Sequence, residues 1–77
     1  MTYPRRFKSD NMQKMYVACR ENAAKGLFSV DGRQWRGAAH RNAYWNGFNG
    51  VKPLAIIPNT LAWASYVAGR DDAKAKN

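Results

Sequence analysis

A single cysteine, Cys19, and a single histidine, His40, set the tightest limit on this chain: no staple, covalent or metallic, is open to it. One cysteine closes no internal disulfide, and one histidine without a cluster of partners completes no zinc site. A chain of 77 residues buries only about 60% of its unfolded surface, and a single core then supplies roughly 3–5 kcal/mol. Stability must therefore come from aromatic and aliphatic packing, or from a partner. Cys19 reads as a small apolar filler in a reducing compartment rather than as a reactive thiol.

The hydrophobic pattern lays out three helices. Residues 1–8 form a basic arm carrying Arg5, Arg6 and Lys8, expected to be mobile until it meets a polyanion. Ser9 or Asp10 then caps a helix running to about Lys25. Met12, Met15, Tyr16, Cys19 and Ala23 recur at threes and fours along it and make one buried stripe, with Lys14, Arg20 and Glu21 off the stripe. Gly26 is its stop signal, and Leu27 is placed to fold back on the last turn.

Residues 27–37 admit two readings. A loop or short hairpin near 27–36 would turn at Asp31-Gly32; a helix capped by Asp31 would be interrupted by Gly37 at a cost of about 1 kcal/mol. A second helix is predicted from Ala38 to Phe48, ending at Asn49-Gly50. Arg41, Tyr44 and Phe48 share one side of it, Ala38 and Trp45 the adjoining one. Gly47 inside that helix invites close approach of another backbone or ring. Val51 to Pro58 is an apolar, Pro-marked segment expected to cross the core as an extended strap. Asn59 caps a last helix through Leu61, Trp63, Ala64, Tyr66, Val67 and Ala68, which is expected to fade at Gly69 into a polar tail.

The expected architecture is all-α: a small three-helix domain over residues 9–70 with an extended Pro-bounded strap, a basic arm before it and a polar tail, 71–77, after it. Most of the aromatics must serve the core at this size. Trp63 and Trp45 are the strongest core candidates. Trp35, flanked by Arg33 and Arg36 in the 27–37 segment, is the strongest candidate for an exposed ring.

Charge narrows the function. The chain holds 13 Lys+Arg against 5 Asp+Glu, a net +8. Residues 1–41 carry nine cations and three acids, so the excess sits mostly in the N-terminal half. Such asymmetry points to one electropositive face. Arg33, Trp35, Arg36, His40 and Arg41 lie within nine residues, and Arg5, Arg6 and Lys8 extend the patch. Arginines and histidine are expected on phosphates, with Trp35 or Tyr44 stacking on bases.

Catalysis finds no support in the sequence. His40 stands beside Arg41 without an evident carboxylate, and the acid pair Asp71-Asp72 falls at an expected frayed end, too hydrated for general acid work. Phosphate-cradling glycine loops need a preceding strand that is missing here. No cofactor and no metal site is expected, nor a small-molecule substrate. No stretch approaches the roughly 18 apolar residues of a membrane span, and no signal-peptide core opens the chain, so a cytoplasmic protein without a membrane partner is expected. A helix-turn-helix DNA reader is disfavoured because the connection from Gly50 to Pro58 is too long for that motif's turn.

Two segments share a pattern. Ala43-Tyr44-Trp45-Asn46-Gly47-Phe48-Asn49-Gly50 and, after a Pro-containing linker, Tyr66-Val67-Ala68-Gly69-Arg70-Asp71-Asp72-Ala73 each place an aromatic three residues before a glycine, with Tyr44 and Tyr66 22 positions apart. This arrangement resembles the ribosome modulation factor family over about 31 of the 77 residues. The resemblance implies two short helices packed through their glycines, on a small basic protein that binds the small ribosomal subunit near the 3′ end of its rRNA and silences translation. The chain departs from the family in its linker, which offers Lys52-Pro53-Leu54 where the family has Cys-Pro-Tyr. It also carries about 40 extra N-terminal residues, including a whole helix, and is less basic across the matching region.

The leading expectation is an RNA-binding protein acting by occupancy, with rRNA or a ribosomal subunit as partner. The alternative is a phage or mobile-element protein that inhibits a host machine of RNA polymerase or CRISPR effector type, its positive charge matched to an acidic protein or to that machine's nucleic-acid channel.

Overall fold

The computed structural model describes residues 3–25, 38–52 and 58–76. Three helices follow in order: α1 (Asp10–Ala24), α2 (Ala38–Asn49) and α3 (Leu61–Lys76). The domain is all-α, with no strand among the described residues. The segment at 27–37, with its hairpin or helix, and the middle of the strap lie outside them, as do Gly26 and Leu27.

Helix α1 starts and stops on local chemistry. Ser9 is extended at φ −81° and ψ 127°, and its hydroxyl accepts from the Met12 amide at 3.3 Å. That satisfies one of the donors left open by the first turn, and Asp10 faces the positive end of the helix dipole. The stripe of Met12, Met15, Tyr16 and Cys19 is buried as its spacing predicts, with Ala23 packed at its edge.

Helix α2 ends where Asn49-Gly50 predicts. Gly50 adopts φ +73°, and the Gly50 and Val51 amides donate back to the carbonyls of Gly47 (3.3 Å) and Asn46 (2.9 Å). This paired closure is a Schellman motif, and glycine fits its left-handed position without a Cβ penalty.

Helix α3 corrects the expected boundaries at both ends. Its cap is Thr60, whose Oγ1 accepts from the Trp63 amide at 3.1 Å; Asn59 stands outside the helix at φ +67°. Asparagine is among the few residues that tolerate that conformation. The helix also does not fade at Gly69 but runs on to Lys76. A glycine costs a helix about 1 kcal/mol, and packing against α2 outweighs that.

That packing is the centre of the fold. A Cβ on Gly69 would run into the Tyr44 carbonyl oxygen and lie 2.8 Å from the Phe48 amide nitrogen. A Cβ on Gly47 would run into the Tyr66 carbonyl and lie 3.2 Å from the Arg70 amide nitrogen. Each Tyr-x-x-Gly segment therefore lays its glycine on the backbone at the other segment's tyrosine. The pairing of 44 with 69 and of 47 with 66 makes α2 and α3 antiparallel. The close approach invited by Gly47 is present, and Gly69 is its reciprocal.

Helix α3 also packs on α1, so it is the element shared by both interfaces. Tyr16, Tyr44, Cys19, Ala64, Val67 and Ala68 form the buried centre. The N-terminal arm, expected to be mobile, is packed instead. Tyr3 and Phe7 set their rings edge-on to Tyr16 at centroid distances of 6.3 and 5.4 Å. Phe7 donates its amide to the Gln13 side chain at 2.8 Å, and Tyr3 its hydroxyl to Glu21 at 3.0 Å, so the arm runs back along α1. Two aromatic rings on an already buried tyrosine supply the apolar contact that the arm's charge concealed.

Two tryptophans expected in the core part company. Trp63 packs partly buried against it and stacks on Tyr66 at 5.8 Å. Trp45 is 53% exposed. Tyr44 and Gly47 turn the inner side of α2 toward α3, and the next residue after Tyr44 is rotated about 100° away from it.

Candidate nucleic-acid interface

Charged and phenolic side chains from all three helices and the arm meet over the C-terminal half of α3. Asp71 takes the Arg5 Nε–H on both oxygens, at 3.0 and 2.9 Å, and the Tyr16 hydroxyl at 2.5 Å. Arg20 donates from Nη1 to the Tyr16 oxygen at 3.2 Å and from Nε to Asp72 at 2.9 Å. Tyr44 donates its hydroxyl to the other Asp72 oxygen at 2.7 Å. The Arg20 guanidinium also lies over the Tyr3 and Tyr16 rings, at 5.7 and 5.8 Å. The result is one continuous chain, Arg5–Asp71–Tyr16–Arg20–Asp72–Tyr44.

This network overturns the placement of the acid pair. Asp71 and Asp72 are helical, not frayed: Asp71 is buried and Asp72 half-buried. Both are held by an arginine and a tyrosine, which is the arrangement of a structural clasp. Burial, then the hydrogen bond to Asp71, pushes the Tyr16 phenol up to about 12. Burial followed by the Asp72 bond raises Tyr44 as well. Burial likewise pushes the Cys19 thiol up to about 12, with its Sγ 3.6 Å from Ser65 Oγ, so this cysteine is a packed apolar group rather than a nucleophile. A shallow cleft of about 300 Å³ opens beside the network, and Arg20 and Asp72 in its wall are already paired to each other. Among the described residues no three His, Cys, Asp or Glu side chains gather as metal ligands. No helix among them is long and apolar enough to cross a membrane.

The residues expected to hold nucleic acid have different fates in the structure. Arg5 is bound to Asp71, its side chain 42% exposed. Arg6 and Lys8 stand exposed on the same arm, and neither meets a carboxylate among the described residues. His40 and Arg41 are half-buried near the start of α2. Arg33, Trp35 and Arg36 lie outside the described residues. Tyr44 is 1% exposed and cannot stack on a base: it belongs to the core and the network. The antiparallel register places the start of α2 along the end of α3, where Arg5 also docks. The arm and the His40–Arg41 turn therefore belong to one end of the molecule.

Sequence reasoning passed over Tyr16 with Arg20 as polar partners and Trp45 as a surface ring. A signal existed for each. Tyr16 and Arg20 are four apart and neighbours on a helix face. Tyr44 and Gly47, three apart, claim the packed face and leave Trp45 off it.

No protein-family model, no curated protein and no solved structure matches this chain.

Proposed function

We propose that the protein is a small RNA-binding module that works by occupancy, covering its target rather than transforming it. The observation that carries this reading is where the acids go. Two of the five, Asp71 and Asp72, are consumed inside the fold by Arg5 and Arg20. Removing those two pairs from 13 Lys+Arg and 5 Asp+Glu leaves 11 cations against 3 acids for the rest of the chain. The net charge is unchanged, but the field outside the clasp is more one-sided than the composition suggests. Neutralising phosphates through such a surface releases counterions and gives affinity without chemistry.

The exposed arm cations, Arg6 and Lys8, supply the first contacts, and Arg33, Arg36, His40 and Arg41 extend them. The resemblance to the ribosome modulation factor family suggests rRNA of the small subunit as the target and translation control in the cytoplasm as the setting. Binding of a fluorescent single-stranded RNA at a series of salt concentrations tests the reading. Affinity should fall steeply with salt, by about 0.7 log units per log unit of salt for each phosphate contact. Arg6→Glu with Lys8→Glu should flatten that slope by about 1.4 while leaving the helical circular dichroism intact. Absent affinity, or affinity indifferent to salt, overturns it. A host protein retained on the tagged chain through ribonuclease treatment would then favour an inhibitor of a protein machine.

A further inference from the structure

Trp45 is an anomaly for a domain this small. Aromatic bulk is scarce, yet this indole is 53% exposed, and among the described residues Val51 at 51% is the other large apolar side chain left out. The ring is nonetheless held. It stacks on Phe48 at a centroid distance of 6.3 Å and an interplanar angle of 9°, and Phe48 stacks on Tyr44 at 6.2 Å and 26°. Tyr44 in turn is fixed by Asp72 and by full burial. A ladder of three near-parallel rings thus runs from the core to the surface and fixes the plane of the outermost one.

We propose that Trp45 is a stacking platform for an unpaired base of a bound RNA strand. The proposal rests on the RNA reading above and adds to it the strand class and the residue that reads it. Magnitudes favour a base over a protein surface. A stable protein interface needs about 800 Å² from each partner with an apolar centre, and among the described residues one indole with one valine is far short of that. A base stack needs a single ring, preferably one already oriented. The surroundings suit a polyanion: Arg41 lies one helical turn before Trp45 on the adjoining side of α2, and exposed Lys52 just beyond the helix end.

The test compares a 12-nucleotide oligoadenylate with an RNA duplex of equal charge, by fluorescence anisotropy, for the full chain and for Trp45→Ala and Trp45→Phe. Trp45→Ala should weaken the single strand roughly 5- to 150-fold, the range of one lost stack. It should leave the duplex within about twofold, the salt slope intact and the thermal midpoint little changed. Trp45→Phe should recover most of the loss, since any flat ring stacks. Salt-dependent binding of the single strand that Trp45→Ala leaves untouched would overturn the platform and spare the RNA reading. No salt-dependent binding by the unmutated chain would overturn both. A concentration-dependent dimer in sedimentation that Trp45→Ala abolishes would assign the ring to a second copy of the chain and overturn the platform as well.

Discussion

The two faces of α3 are held by opposite means. Against α2 it packs backbone to backbone, through Gly47 and Gly69, with no room for a methyl group. Against α1 and the arm its C-terminal half packs through long polar side chains, Arg5, Tyr16 and Arg20 reaching Asp71 and Asp72. The first face tolerates no change in volume, because the atoms facing each glycine are backbone and cannot rotate away. The second tolerates volume but not the loss of a partner, because its groups have given up water for one another. A chain too short to be stable on apolar burial alone uses both.

The largest effects should come from the glycine face. Gly69→Ala would ordinarily gain up to about 1 kcal/mol of helix propensity. Here the added Cβ meets the Tyr44 carbonyl, so the helices must separate and much of the α2–α3 contact goes with them. Overpacking of a tight core costs about 1–3 kcal/mol and sometimes more, and a clash with backbone belongs at the upper end. In a domain with roughly 3–5 kcal/mol in hand, Gly69→Ala and Gly47→Ala should each abolish cooperative thermal unfolding. A variant that melts like the parent would show that the helices do not approach as closely as the geometry requires.

Next comes the polar face, where the two aspartates should differ. Asp72→Ala strands Arg20, whose side chain is only 15% exposed, along with the buried Tyr44 hydroxyl. Removing one partner of a buried pair costs about 3–5 kcal/mol, and partial exposure puts this one at the lower end, about 3. Asp71→Ala strands the buried Tyr16 hydroxyl but lets Arg5, 42% exposed, return to water, so about 2 kcal/mol is expected. Urea midpoints of the two variants check the order. Equal losses would mean that the arm holds Arg5 more rigidly than its exposure implies.

Much of this contrast was legible in the chain, and the illegible part has a physical reason. The α1 stripe and the Gly50 stop follow from local rules, periodicity and left-handed glycine. Gly47 announced a close approach but not its partner. Gly69 and the aspartates after it look like an unravelling tail because local propensity sees a breaker followed by charge. What keeps that segment helical lies far off in sequence, at residues 5, 16, 20 and 44. Trp45 was misplaced because hydrophobicity ranks it inside, while a helix can turn only one of two neighbouring aromatics inward. The candidate site was legible as composition but not as burial: Arg6 and Lys8 stand exposed on the arm, whereas Tyr44 is buried in the core.

The finest separation of the two faces uses alkali. Tyr16 holds its proton up to about 12, against an ordinary value near 10, because burial and then Asp71 disfavour the phenolate. Between those values the unfolded chain loses a proton that the folded chain keeps, so stability must fall as pH rises. The contribution is fully present below pH 10 and is lost progressively up to about pH 12. Tyr16→Phe removes that proton and should lessen the fall in the same window, with the raised Cys19 and Tyr44 supplying the rest, and it costs about 1 kcal/mol at neutral pH for the lost hydrogen bond. Among the chain's four tyrosines, the phenolate absorbance at 295 nm that the parent shows in excess of Tyr16→Phe should rise together with loss of helix, since Tyr16 ionises only as its cover opens. Excess absorbance that rises well before the helix signal falls would detach Tyr16 from the clasp and leave α3 held there by Asp72 with Arg20 and Tyr44.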